Sequence, residues 1–119
     1  MTRYKVWWDV GSGAIVNGVY IPDRQGYGGF FKSKDDARHS ACLALYNNQA
    51  HIVHIQTEQQ YKSNSNVSDI MTMAKGVFRY KANFGSPKNR NNSSPLWSVD
   101  FDTGKLIKVI QRYDDWRDY

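Results

Sequence analysis

Tyr4, Val6, Trp8 and Val10 alternate with Arg3, Lys5, Trp7 and Asp9, which predicts a strand with its even positions buried. Trp7 then falls on the outer face, either as an exposed anchor or beneath another element. Gly11-Ser12-Gly13 turns the chain, and Ala14 to Ile21 is expected to return as the hairpin partner, ending at Pro22 and Asp23. Arg24-Gln25-Gly26-Tyr27-Gly28-Gly29 reads as a flexible glycine-rich loop leading into Phe30 and Phe31. Ser33, with Asp36 three residues on, marks a helix start; Ala37, Ala41, Ala44 and Leu45 form its apolar stripe, and Asn47-Asn48 ends it. A strand is expected over His51–Thr57 and a polar loop over Glu58–Ser65. A second, short helix is expected from an Asn66 cap to Gly76, with Val67, Ile70, Met71 and Ala74 as its stripe.

From Val77 to Phe84 the pattern alternates again, with Phe78, Tyr80, Ala82 and Phe84 opposed to Arg79, Lys81 and Asn83. Trp97, Val99 and Phe101 share a face of the next strand, Asp102-Thr103-Gly104 is a hairpin turn, and Lys105 to Gln111 returns. Between these strands, residues 85–95 are basic, Asn/Ser-rich and exposed in expectation; residues 113–119 form an acidic, aromatic tail. The expected fold is a single α+β domain over residues 1–119: an antiparallel sheet of about five to seven strands with one long and one short helix packed on it.

Composition adds a charge argument. The net charge is +5, and eight basic against two acidic residues fall between positions 75 and 112. That asymmetry draws an anionic partner, or simply keeps the fold in solution. Four Trp, eight Tyr and five Phe exceed what a small core hides easily, so some are expected at a recognition surface. Cys42 alone excludes an internal disulfide and points to a reducing compartment. No secretory leader is read in the charged first ten residues, and no run approaches the ~20 apolar residues of a membrane span. A soluble cytoplasmic protein without membrane contact is the expectation.

Catalytic and metal chemistry finds little footing. His51 and His54, three apart on a strand, face opposite sides and cannot share a metal, and His39 fits no ligand pattern with Cys42. Asp102-Thr103-Gly104 carries the letters of an aspartic-protease signature in the context of a hairpin. Gly11, Gly13 and Gly18 open no helix that could hold a phosphate. No catalytic residue, cofactor or metal is expected.

Two resemblances remain. Arg24-Gln25-Gly26-Tyr27-Gly28-Gly29-Phe30-Phe31 is similar to the basic-Gly-aromatic-Gly-aromatic strand motif of RNA-recognition and cold-shock domains, which implies Tyr27 and Phe30 as base-stacking residues. It has one glycine more, and it precedes the first helix, so neither family is assigned. In size and Asn/Tyr/Lys-rich style the chain resembles accessory proteins of phages and mobile elements, including inhibitors of CRISPR nucleases. The expected function is therefore a non-catalytic inhibitor or modulator docking on a nucleic-acid-handling enzyme, such as a nuclease, or its complex. The alternatives are direct DNA or RNA binding by a basic β-face and a small enzyme of unrecognised type using His51 or His54. The residues expected to meet the partner are Trp7, Arg24, Tyr27, Arg79, Lys81, Lys88, Arg90, Lys105 and Lys108. Homodimerisation through an exposed edge at Leu96–Phe101 is left open.

Overall fold

The computed structural model describes residues 1–11, 13–21, 23–82 and 95–110. The strands are β1 (Tyr4–Asp9), β2 (Ala14–Val16), β3 (Val19–Ile21), β4 (Arg24–Phe31), β5 (Ile52–Thr57), β6 (Asp69–Ala74), β7 (Val77–Lys81), β8 (Leu96–Val99) and β9 (Leu106–Ile110). The helices are α1 (Lys34–Tyr46) and α2 (Glu58–Lys62). Seven strands form one antiparallel sheet in the order β4-β1-β5-β6-β7-β8-β9, and β2 and β3 form a separate two-stranded ribbon. This is the expected single α+β domain. Because β1 is antiparallel to both β4 and β5, those two run parallel to each other and need a crossover. That crossover is α1, laid over one face of the sheet.

The α1 boundaries follow the sequence reading. The Ser33 side chain accepts the Asp36 amide, and Ala37, Ala41, Ala44 and Leu45 are buried against Val6, Trp8, Val53, Ile55, Met71, Phe78, Tyr80 and Val99. Side chains this small let the helix axis close on the sheet. Cys42 is fully buried in this layer against the Met71 sulfur, 3.6 Å away, and burial pushes its thiol pKa up to about 12. It stays protonated.

Four elements depart from the sequence reading. Asp69–Ala74 is a strand, not a helix: Ile70, Met71 and Thr72 are all buried, so both faces are covered and the apolar spacing mimics a helical stripe. Lys75-Gly76, both with positive φ, form the hairpin turn to β7. The short helix lies instead at Glu58–Lys62, where Thr57 and Gln60 close a capping box. Ala14–Ile21 does not pair with β1; it folds on itself at Asn17-Gly18, whose φ values of 52° and 78° suit a tight hairpin turn.

The partner of β1 is the glycine-rich stretch, which forms edge strand β4 with an irregularity between Lys5 and Trp7. Gly26 leaves room there for the end of the Lys5 side chain, which a Cβ would approach to 2.2 Å and displace, and whose ammonium donates to the Gly28 carbonyl at 2.9 Å. The proposed dimer edge is also corrected. β8 is paired on both sides, by β7 and β9.

The Asp-Thr-Gly segment is a turn clamped to α1. Asp100 Oδ1 accepts the amides of Asp102 and Thr103, each at 2.9 Å, and Arg38 Nε donates to the Gly104 carbonyl at 2.8 Å. Gly104 has φ +73°, and a Cβ would stand 2.0 Å from the Asp35 carbonyl oxygen and 2.7 Å from the His39 nitrogen. Both contacts are helix backbone, which cannot swing aside. Gly104→Ala is expected to lower stability by about 2–4 kcal/mol, from overpacking and left-handed strain together. Urea unfolding checks this, and an unchanged midpoint would refute the clamp.

Candidate functional site

The face of the sheet away from α1 carries four of the sequence-flagged residues, Trp7, Arg24, Arg79 and Lys81. A cross-strand row runs from Trp7 on β1 through His54, Ile70 and Lys81 to Leu96 on β8. Trp7, Ile70, Lys81 and Leu96 are 4%, 6%, 1% and 2% exposed, so this second face is buried as well. Trp7 therefore lies on the outer face as its position predicts, but covered. Arg79 and Lys81, expected to reach phosphates, are buried too, and burial lowers the Lys81 ammonium pKa. A strand buried on both faces carries its cations inward, an outcome that alternation alone cannot signal.

Trp7 is enclosed by three groups. The His54 ring stacks on it at a centroid distance of 4.1 Å and 11° between planes, and the Arg24 guanidinium lies 4.7 Å from its ring. Its indole N–H donates to Gln56 Oε1 at 2.8 Å. Gln56, 1% exposed, donates in turn to the carbonyls of Ser65 and Val67. Arg24 donates to the Tyr61 and Ser65 carbonyls and faces the Tyr61 ring. Farther along the face, Arg3, Lys5 and Lys62 lie over Phe30, and Arg3 and Lys62 both bind Glu58. Those two partners hold the Glu58 carboxyl down at about 2.

Between the ribbon and the segment after α2 opens a cleft of about 450 Å³. Val19 and Ile21 form one wall, Asn64, Ser65, Asn66 and Ser68 the other, with Trp7 and His54 at the base and Asp9 and Arg24 also lining it. His54 Nδ1 shares a 2.9 Å hydrogen bond with Ser68 Oγ, and Ser68 is 3% exposed. Burial, with the charge of Arg24, pulls the His54 pKa down to about 4. A base needs a pKa near the working pH to take a proton from serine, so this pair orients a neutral ring. Partial burial holds the Asp9 carboxyl above the usual range, against the pull of Arg24.

Of the sequence-flagged residues, the structure unites Trp7 and Arg24. It sets Lys105 and Lys108, both exposed, at the opposite edge of the sheet. Tyr27 lies in β4 with its side chain outside the description, and Lys88 and Arg90, with the 85–94 part of the basic loop and the 113–119 tail, lie outside the described residues. Ser68 and the ribbon aliphatics were missed as site residues, and His54 was weighed only as a residue of an enzyme; the Asn17-Gly18 turn between two apolar pairs was the signal available for the ribbon. Among the described residues no group of three or more His, Cys, Asp or Glu side chains could hold a metal ion, and no helix is long and apolar enough to cross a membrane. Compared with known proteins, the chain matches no family model, no curated protein and no solved structure.

Two outcomes follow from this geometry. The folded His54 ring resists protonation down to about 4, against 6.5 for its ordinary value. Its contribution to stability is complete above pH 6.5 and is lost as pH falls from 6.5 to about 4, by at most about 3 kcal/mol. Subtracting the urea stability of His54→Asn from that of the wild type across pH 7 to 4 isolates this slope; parallel curves would exclude it. Gln56→Leu strips partners from the Trp7 indole and from the Ser65 and Val67 carbonyls, and is expected to cost more than about 3 kcal/mol. Equal denaturation midpoints would show the amide to be dispensable.

Proposed function

We propose that the protein is a non-catalytic binding protein that docks on a protein partner through its β2–β3 ribbon, as an inhibitor or modulator of a nucleic-acid-handling enzyme or its complex. The observation that carries this reading is the ribbon's apolar surface. Ile15, Val16, Val19 and Ile21 are 45–76% exposed, and with Val10 they make up five of the ten large apolar side chains exposed among the described residues. Scattered exposed aliphatics are ordinary; a two-stranded ribbon carrying them together is a contact surface. Register puts Ala14, Val16, Val19 and Ile21 on one face and Ile15 on the other, so both faces present apolar groups.

Positive charge supports the choice of partner. Lys105 and Lys108 remain exposed, and the net charge of +5 favours an acidic surface or a complex that includes nucleic acid. With Trp7, Arg79 and Lys81 buried, direct binding to nucleic acid through those residues loses its basis.

The test is capture from a nuclease-treated lysate, repeated with the captured protein purified. Wild type is compared with Ile15→Asp/Val19→Asp and with Lys105→Glu/Lys108→Glu. Capture is expected to survive nuclease and to weaken at least about tenfold in the ribbon variant, with a smaller effect from charge reversal. Capture that vanishes with nuclease, or that depends on the lysines alone, would replace this reading with nucleic-acid binding.

A further inference from the structure

The ribbon and the cleft are continuous. Val19 and Ile21, on the ribbon face shared with Ala14 and Val16, also form the apolar wall of the 450 Å³ recess over Trp7 and His54. We propose that this cleft receives one amphipathic aromatic side chain, tyrosine or tryptophan, from a protein partner seated on the ribbon. The proposal rests on the reading of the ribbon as a protein-docking surface and names the chemistry of the anchor.

Three features of the cleft select that occupant. First, its charge is balanced. Asp9 and Arg24 are cross-strand partners, and the His54 ring is neutral over the physiological range. A carboxylate would meet Asp9, and an ammonium or guanidinium would meet Arg24, so a neutral group is favoured over either ion. Secondly, its walls are unlike. One is aliphatic; the other is made of polar residues, Asn64, Ser65 and Asn66, of which Ser65 already uses its hydroxyl to accept the Val67 amide at 3.0 Å. An aliphatic side chain would offer the Asn64 and Asn66 amides no partner, whereas a ring with a hydroxyl or indole N–H at its tip suits both walls. Thirdly, the base is rigid. Stacking on Trp7 and the bond to Ser68 fix the imidazole, and no described residue bonds its Nε2, which is left for the incoming tip. A preformed recess beside a larger contact surface is where hot-spot aromatics insert.

An unpaired nucleobase is also flat, neutral and polar at its edge. It brings a phosphate one sugar away, and the cleft has no lysine among its lining residues, while its one arginine is committed to two carbonyls and two aromatic faces. The aliphatic wall continues as the exposed ribbon, which suits a protein chain better than a sugar-phosphate backbone.

The experiment is a titration of the full chain, labelled with ¹⁵N, against N-acetyl-L-tyrosinamide and N-acetyl-L-tryptophanamide. N-acetyl-L-leucinamide and the nucleosides cytidine and adenosine, with their 5′-monophosphates, are the contrasting probes. The readouts are the Trp7 indole N–H and the His54 ring nitrogens. One or both aromatic amides should give saturable shifts at both groups, with a dissociation constant on the order of a millimolar. Val19→Ser/Ile21→Ser should weaken this about tenfold, and Ile107→Ser, exposed on β9 at the far edge of the sheet, should leave it unchanged. Absence of saturation by either aromatic amide, equal binding of the leucinamide, or tighter binding of a nucleoside or nucleotide would each overturn the proposal. Because the titration uses the chain alone, its failure with ribbon-dependent protein capture intact sinks the cleft and leaves the docking surface. Capture that requires nucleic acid sinks the docking surface, and the source of the anchor with it.

Discussion

The arrangement of the second face depends on the side chain of Gln56. A primary amide buried to 1% exposure is costly unless its donors and acceptor are engaged, and here its oxygen takes the Trp7 indole while its nitrogen serves the Ser65 and Val67 carbonyls. These bonds reach across from β5 to β1 and to the segment that follows α2. That segment has no strand pairing of its own up to Val67, so without the amide its carbonyls would need other partners. Arg24 repeats the device from β4, donating to Tyr61 and Ser65. One wall of the cleft is therefore a loop held by side chains. Its base is sheet.

The opposite face is fixed by a different means. Small residues bring α1 close, and the polar groups near its first turns are paired as they are buried. Arg38 donates to the Gly104 carbonyl and to Asp35 and lies over the Tyr80 ring; Asp69, 4% exposed, accepts the Tyr80 hydroxyl and faces Lys34 at 3.1 Å. Buried ionic groups of this kind add little net stability, because desolvation offsets their attraction. Their geometric demands instead fix how the helix, the β8–β9 turn and β6–β7 meet, which a stripe of alanines cannot do.

Legibility in the sequence tracked whether a signal was local. Ser33, Asp36 and the alanine spacing define α1 within thirteen residues, and alternation defines β1, β5 and β7. Met71 and Ile70 misled because a strand buried on both faces has no alternation to show. Gly26 misled because a close approach by Lys5, twenty-one residues away along the chain, is what makes glycine suit a strand there. Thr57 and Gln60 carried a readable capping box within a polar run. For the site, Trp7 and Arg24 could be flagged singly as an aromatic and a cation. That they meet His54 follows from β1 lying between β4 and β5, a fact of topology that neither residue encodes.

The charge pattern shows why counting cations overstates a binding face. Lys5 is committed to the Gly28 carbonyl and the rings of Phe30 and Tyr61, Arg24 to Trp7, Tyr61 and two carbonyls, and Arg38 to the Gly104 turn. Arg3 and Lys62 share Glu58, while Arg79 and Lys81 are buried. An aromatic-rich sheet with one long helix uses these guanidinium and ammonium groups as packing material, since their alkyl stems cover rings while their heads find carbonyls and carboxylates. Among the described residues, Lys32, Lys75, Lys105 and Lys108 stay exposed outside these contacts and, with the net charge, supply long-range attraction for an acidic surface. On the docking reading proposed above, short-range recognition rests on groups without such commitments: the ribbon aliphatics and the cleft beside them.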